Sequence, residues 1–315
     1  MQQSGREPRL IRAPAEGSRI KKELIFHLML IPGVIITLIY SYGPLAGLVM
    51  AFQDFIPGKG LFGRQEWVGF SNFILLAKMN YVWRALRNTV YIAFFKIVLG
   101  LLVPIVFSLL INEVKKGVLF KRTIQTIFYL PHFISWVVLG GILLDILSPS
   151  SGIVNQLLGY LGISPIFFLG DNKWFPFTVI LTSTWKEFGW GTIVYLAAIT
   201  SIDPGLYESA MIDGANRFQQ MLHITIPGMA MIIVLRSVLS LGQVLNAGYD
   251  QIFNLYNPVV YETGDIIDTF IYRFGILEGR YSPAAAVGLF KSFVSLIFIS
   301  ISYYSAYRFA DYRVF

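Results

Sequence analysis

The sequence predicts an all-α, polytopic membrane protein with six transmembrane helices, and three observations predict it. Of 315 residues, 55% are hydrophobic and only 14% are charged, against roughly 25% charged in soluble domains. Mean hydropathy is +0.63. Six runs are long and apolar enough to cross the hydrocarbon core, which takes about 20 mostly apolar residues. These runs are continuously apolar rather than alternating, which argues against a membrane β-barrel.

Residues 1–23 read as a basic N-terminal segment and 24–315 as the six-span domain. The spans are expected at Leu24–Met50, Asn88–Ile111, Ile124–Leu147, Phe175–Thr200, Gly228–Ala247 and Pro283–Tyr307. The first run is too long for the apolar core of a signal peptide, and no small-residue cleavage pattern follows it, so it reads as a retained span. The fourth and fifth are the least clean, because the fourth carries Lys186 and Glu187 and the fifth carries Arg236. Pro32, Pro44, Pro104, Pro131, Gly140, Gly141, Gly189 and Gly191 fall inside spans. Such residues are tolerated where neighbouring helices satisfy the freed backbone groups. Gly43 and Gly47 make a GxxxG pattern, which predicts close helix packing within the chain or against a partner.

Basic residues orient the spans. Arg6, Arg9, Arg12, Arg19, Lys21, Lys22, Lys115, Lys116, Lys121, Arg122, Arg217, Arg308 and Arg313 lie on one side; eight Lys and Arg are spread over the longer loops of the other. The positive-inside rule then places both termini in the cytoplasm. Net charge is +7, and its placement speaks for membrane orientation rather than for a nucleic-acid partner. Aromatic residues reach 16%, which suits interfacial belts and also a pocket that stacks on flat ligands. The chain has no cysteine, which excludes disulfides, thiolate metal sites and Cys nucleophiles.

The most informative stretch is the cytoplasmic loop at about 201–227. Asp203 before Pro204 is a helix start: a capping oxygen, then a residue whose missing N–H is no loss. The helix is expected to run to about Asp213, with Gly214 in the left-handed conformation. A second short helix follows from about Arg217, and Pro227 ends it and begins the fifth span. Leu206, Ala210 and Met211 form an apolar stripe on the first helix, beside the small Ser209 and the acidic Glu208. Such a helix either docks into a partner's groove or lies on the bilayer surface, and the residues alone leave both open.

The stretch Glu208-Ser209-Ala210, then Gly214, then Ile224, Ile226 and Pro227 resembles the EAA loop of binding-protein-dependent ABC importer permeases. It departs from the pattern at Ser209 for Ala and at Ile226 for Leu, both conservative in size. Tyr207 to Ala215, Trp67 to Phe73 and Leu86-Arg87-Asn88-Thr89 are similar to sugar permeases of the maltose type. Phe128 to Trp136 resembles the branch that handles oligosaccharides, including the alginate transporter.

The resemblance implies the type I ABC importer permease fold and a mechanical role. A second permease, normally a homologue, completes the path. Two ATPase subunits hold ATP and Mg, and this chain binds no cofactor. An extracytoplasmic binding protein delivers a carbohydrate, an oligosaccharide that can be acidic, across the bacterial cytoplasmic (inner) membrane. Glu208, Ser209, Ala210, Gly214, Ile224 and Pro227 are the implied ATPase-coupling residues, with Glu208 pairing to a basic ATPase residue.

No catalytic or metal-ligating set is legible. A GxxxxGK[ST] phosphate loop is absent from the sequence, and Gly58-Lys59-Gly60 lacks its spacing. His27, His132 and His223 lack metal-ligand spacing and read as packing or interfacial residues. Charge inside a membrane costs about 2.5–3.5 kcal/mol per group at a span's centre. Lys96, Lys186 and Lys291 therefore either line a path for an anionic substrate or pair, snorkel or sit at an interface. Trp185, Trp190 and the run Tyr249-Asp250-Gln251 offer ring faces and hydrogen bonds for a sugar, or belt and packing contacts. An ABC permease for peptides or other small solutes, a secondary transporter and a non-transporting scaffold remain the competing readings. A secondary transporter predicts more buried acids or inverted repeats; a scaffold needs no polar groups at similar depth.

Overall fold

The computed structural model describes residues 16–114 and 117–310. The basic residues Arg6, Arg9, Arg12, Lys115, Lys116 and Arg313, and most of the 1–23 segment, lie outside them. The chain forms two compact units, 1–50 and 51–315.

In the first unit, α1 (Glu16–Thr37) leads into a π turn at Leu38–Tyr42 and a 3₁₀ stretch at Gly43–Phe52. Its apolar side chains from Phe26 to Leu45 are exposed, as for a span facing lipid. The GxxxG expectation changes here: Gly43 and Gly47 lie in the 3₁₀ stretch. With three residues per turn, positions four apart no longer share a face, so the flat glycine stripe of an α-helical GxxxG is not formed.

The second unit is helical apart from one small antiparallel ladder, Gln53–Asp54 with Glu66–Trp67. Its helices are α2 (Ser71–Ala77), α3 (Asn80–Glu113), α4 (Val118–Tyr129), α5 (Trp136–Ile146), α6 (Ile153–Tyr160), α7 (Trp174–Thr200), α8 (Pro204–Ile212) and α9 (Arg217–Gln220). They continue with α10 (Ile226–Gly228), α11 (Ala230–Leu241), α12 (Tyr249–Leu255), α13 (Tyr261–Gly264), α14 (Ile267–Ile271) and α15 (Tyr281–Ala310). Three helical stretches among the described residues are long and apolar enough to cross a membrane: Phe26–Phe52, Asn80–Glu113 and Tyr281–Ser305. Two bent pairs raise this to five if each pair is one span. α7 has the length, 27 residues, but is enriched in polar and buried side chains. It packs against α3 and α4.

The expected straight third span, 124–147, is instead bent by 103° between Leu119–Phe133 and Trp136–Ile146. Pro131 lacks a backbone donor, Leu130–Phe133 tightens to 3₁₀ geometry, and Ser135 restarts the chain by capping Val138 N at 3.3 Å. The break ahead of the fifth span falls at Met229, two residues beyond Pro227, with a 57° bend. Helix α3 begins at Asn80, eight residues before the expected start.

One apolar core joins Ile92, Phe175, Val179, Ile252, Leu255 and Ile266; a second joins Ala51, Leu76, Phe270, Phe274 and Val287. A Cβ at Gly189 would fall 2.0 Å from the Phe128 carbonyl oxygen, so that glycine lets α7 approach α4. Between the cores, Asp265 is 2% exposed and takes two bonds from Arg273, at 3.0 and 2.7 Å. Thr269 Oγ1 donates to the same carboxylate at 2.8 Å, and Asn88 Nδ2 donates to the Asp265 carbonyl at 3.1 Å. Asp265→Ala leaves the Arg273 charge uncompensated and is expected to cost about 3–5 kcal/mol. Thermal unfolding in detergent checks it, as a lowered Tm and a reduced folded yield.

Candidate functional site

Two groups of residues have the geometry of sites. The first is the 203–227 segment. Asp203 Oδ1 accepts from Gly205 N at 2.9 Å, and Pro204 occupies the first helical position. Gly214 has φ +80°, a conformation that side chains with a Cβ resist, and turns the chain into α9. There Asn216 and Gln219 cap each other's backbone, at 2.9 and 2.8 Å. Arg217 Nη1 meets Glu113 Oε2 at 2.6 Å, pinning α9 to the end of α3. Tyr207 Oη lies 3.0 Å from Thr225 Oγ1 and ties α8 to the following segment.

The helix so held is left uncovered. No residue of α8 is buried, and Leu206, Met211 and Ile212 are 53%, 59% and 87% exposed. Glu208 and Ser209 are exposed, Ala210 and Ile224 half-buried, and Pro227 exposed. Glu208 enters no ion pair among the described residues. The segment thus presents exposed apolar side chains spread around the helix axis and a carboxylate that pairs with no described residue.

The second group surrounds an interrupted helix. α11 ends at Leu241, α12 begins at Tyr249, and turns fill the interval. Gly248 takes φ +88°, and a Cβ there would sit 3.0 Å from Lys96 Nζ. Lys96 donates to the Ala247 carbonyl at 2.6 Å and to Gln251 Oε1. Gln251, 1% exposed, donates in turn to Val179 O at 2.8 Å and Thr182 Oγ1 at 2.9 Å. α3, α7 and α12 are thereby tied at the interruption. Beside it lies a cavity of ≈ 500 Å³ lined by Gln243, Asn246, Tyr249, Asp268, Lys291 and Ser295 among others. Lys291 Nζ pairs with Asp268 Oδ1.

A separate cluster forms at the bend between α4 and α5. Lys186, 5% exposed, donates to the His132 carbonyl at 2.7 Å and to Glu187 Oε1 at 3.2 Å. His132 Nδ1 lies 2.7 Å from Glu187 Oε2, and its ring stacks on Trp190 at 4.7 Å and 4°. Lys186 also sits 5.6 Å from the Trp136 ring centroid.

The residues expected along a path therefore divide. Tyr249 and Lys291 share the cavity, and Lys96 shapes its wall from behind. Lys186 and Trp190 belong to the second cluster. Trp185 is exposed and joins neither, and Asp250 is exposed, its carbonyl taken by Asn254 Nδ2 at 2.7 Å. Lys186 and Lys291 pair with the carboxylates of Glu187 and Asp268, whereas Lys96 is held only by neutral acceptors. Gln243, Asn246, Asp268 and Ser295 escape sequence reading, while Gln251, read as a sugar contact, is instead buried against α3 and α7, and His132 packs in the second cluster. The pairs Lys291–Asp268 and His132–Glu187 are 23 and 55 residues apart and have no common local pattern. Gly242 and Gly248 are the one local signal of the interruption.

The family profile described as "Binding-protein-dependent transport system inner membrane component" matches residues 100–311. Protein LplB of Bacillus subtilis is 40% identical over 94% of this chain and 92% of its own length. The polygalacturonan/rhamnogalacturonan transport system permease protein YteP of the same organism is 38% identical with the same coverage. A chain of a bacterial ABC transporter involved in the import of the acidic polysaccharide alginate superposes with a TM-score of 0.85 at 39% identity, covering 93% of this chain and 98% of that one. The same transporter type in complex with alginate pentasaccharide-bound periplasmic protein gives 0.84 at 39% identity, covering 92% and 96%.

Two substitutions test the interruption. Lys96→Met leaves the Ala247 carbonyl and Gln251 Oε1 without their donor and is expected to cost about 1–3 kcal/mol. Gly248→Ala forces a Cβ into a left-handed backbone and against Lys96, costing about 1 kcal/mol or more. Thermal unfolding of each purified variant in detergent measures both.

Proposed function

The chain belongs to the family of binding-protein-dependent transport system inner membrane components, and from that premise we propose that it is the permease subunit of an ATP-driven carbohydrate importer. Its substrate is an oligosaccharide, in keeping with relatives named for polygalacturonan and alginate. It resides in the bacterial cytoplasmic membrane with both termini in the cytoplasm. It works with a second permease, two ATPase subunits and an extracytoplasmic binding protein. ATP and Mg are held by the ATPase subunits, since this sequence contains no phosphate loop of the GxxxxGK[ST] kind.

The observation that carries this reading is the uncovered α8, braced from behind by Arg217–Glu113 and Tyr207–Thr225. A helix that exposes Leu206, Met211 and Ile212 while its ends are fixed to the spans transmits movement: a partner that grips it moves the spans. Glu208 supplies the charge that orients the grip, Ser209 and Ala210 allow close approach, and Gly214 makes the corner. Ile224 and Pro227 pass the displacement into the bent 217–241 pair. Closure of the ATPase pair on ATP would then switch access to the cavity between the two sides.

The cavity is the position for a sugar within the membrane. Gln243, Asn246, Tyr249 and Ser295 offer the amide and hydroxyl groups that match sugar hydroxyls, and Lys291 and Asp268 add charge-assisted bonds.

Tagged protein expressed with its partner subunits is expected to co-purify an ATPase in mild detergent, and Glu208→Lys to abolish that association while leaving the second permease bound. Full retention of the ATPase by the variant removes the coupling role of Glu208. Absence of any ATPase from the wild-type preparation supports a secondary transporter instead.

A further inference from the structure

Helix α6, which connects α5 to α7, is built inside out. Ile153, Leu157 and Tyr160 share one side of it, at i, i+4 and i+7, and Val154, Asn155 and Leu158 the other. A helix on a water-exposed surface turns its apolar side to the protein and its polar side to solvent. Here the inward side carries Asn155, 5% exposed, and the outward side carries Ile153, Leu157 and Tyr160, at 58%, 58% and 88%. Leu161, just past the end of the helix, is exposed beside them.

Asn155 fixes the inversion. Its Nδ2 donates to the carbonyls of Leu147, Ser148 and Ile166 at 3.3, 3.0 and 3.0 Å. Its Oδ1 accepts from Ile166 N at 2.7 Å. One side chain thereby ties α6 to the end of α5 and to the stretch that leads into α7. The turn before the helix is as tight: a Cβ at Gly152 would fall 2.4 Å from the Ile146 carbonyl oxygen. The apolar side is therefore held outward by buried polar bonds.

The surroundings say what covers it. From Ile146 to Gly170 the sequence has no charged residue. A soluble partner that docks and leaves uses an apolar patch with a polar rim, and this face has no charged rim to keep it wetted between encounters. The bonds to Leu147 and Ser148 set α6 at the very end of α5. Aromatic rings gather beside it at the start of α7, where Trp174 lies 5.7 Å from Phe168 and 6.0 Å from Phe177, and Phe167 and Phe177 are exposed. Trp and Tyr collect at the membrane–water boundary, and an apolar helix face at that level is covered by lipid.

We propose that α6 is an interfacial anchor that lies in the plane of the membrane, with Ile153, Leu157 and Leu161 among the lipid chains and Tyr160 at the headgroups. In the orientation proposed above, the leaflet is the outer one. Through Asn155 the anchor sets the depth of the α5 end and of the approach to α7.

The test places a nitroxide at Ile153→Cys or Leu157→Cys, with Lys59→Cys in the exposed Pro57–Lys59 turn as the reference. The chain, with the subunits that co-purify, is reconstituted in lipid nanodiscs, and the unsubstituted preparation is labelled in parallel. Collisions with oxygen, which concentrates among lipid chains, are compared with collisions with a water-soluble nickel chelate. Oxygen access is expected to exceed nickel access at 153 and 157 and to fall below it at 59, with and without binding protein and ATP. Nickel access exceeding oxygen access at 153 or 157 puts the face in water and overturns the anchor. Access to neither reagent assigns the face to the second permease, and oxygen access lost on adding the binding protein assigns it to that partner; each overturns the lipid assignment. The result is independent of what the chain carries, so the importer reading stands or falls separately.

Discussion

The turn between α11 and α12 frees backbone groups that need partners, and this fold depends on how Lys96 and Gln251 supply them. Without water to satisfy it, the Ala247 carbonyl would be an orphan. Lys96 reaches across from α3 to take it, and Gln251 links that lysine to Val179 and Thr182 on α7. The gap between α11 and α12 thereby becomes a fixed feature. Gln243, Asn246 and Tyr249 are placed around the cavity because that gap exists.

The same economy governs the other charges. Lys186 is buried with Glu187 and the His132 carbonyl, Lys291 faces Asp268, and Arg273 faces Asp265. Arg236, in the least clean of the apolar runs, donates to Gly191 O at 3.1 Å and lies over Tyr195. Isolated charges at membrane depth are costly, and pairing offsets that cost while leaving each polar group able to exchange partners. For a transport path this matters directly. On the proposed importer function, a sugar hydroxyl or carboxylate entering the cavity would compete with Asp268 for Lys291 rather than meet a naked cation.

Much of this was legible in the sequence, for identifiable reasons. Asp203, Pro204 and Gly214 act through local backbone chemistry, and the structure realises the cap, the first-turn proline and the left-handed glycine as read. The apolar runs act through hydropathy and place the helices to within a few residues for α7 and α15. What local reading missed was set by distant residues. The close approach of α7 to α4, for example, rests on Gly189 admitting the Phe128 carbonyl, a contact 61 residues away in sequence. The GxxxG reading of Gly43 and Gly47 presumes an α-helix, and the chain there winds as 3₁₀. Of the aromatic residues around α12 only Tyr249 was read from the sequence; Tyr256 packs against the core through contacts with residues far along the chain.

The most direct test of a substrate cavity at the α11–α12 interruption uses the absence of cysteine from the chain. A single cysteine introduced as Ser295→Cys, in the complete transporter, can be alkylated by a water-soluble maleimide and followed by mass. The account predicts that Cys labelling at this position proceeds without substrate and slows when a transported oligosaccharide, its binding protein and ATP are supplied. Labelling that is absent under all conditions, or that proceeds at the same rate with and without the saccharide, would contradict a substrate cavity at this place in the fold.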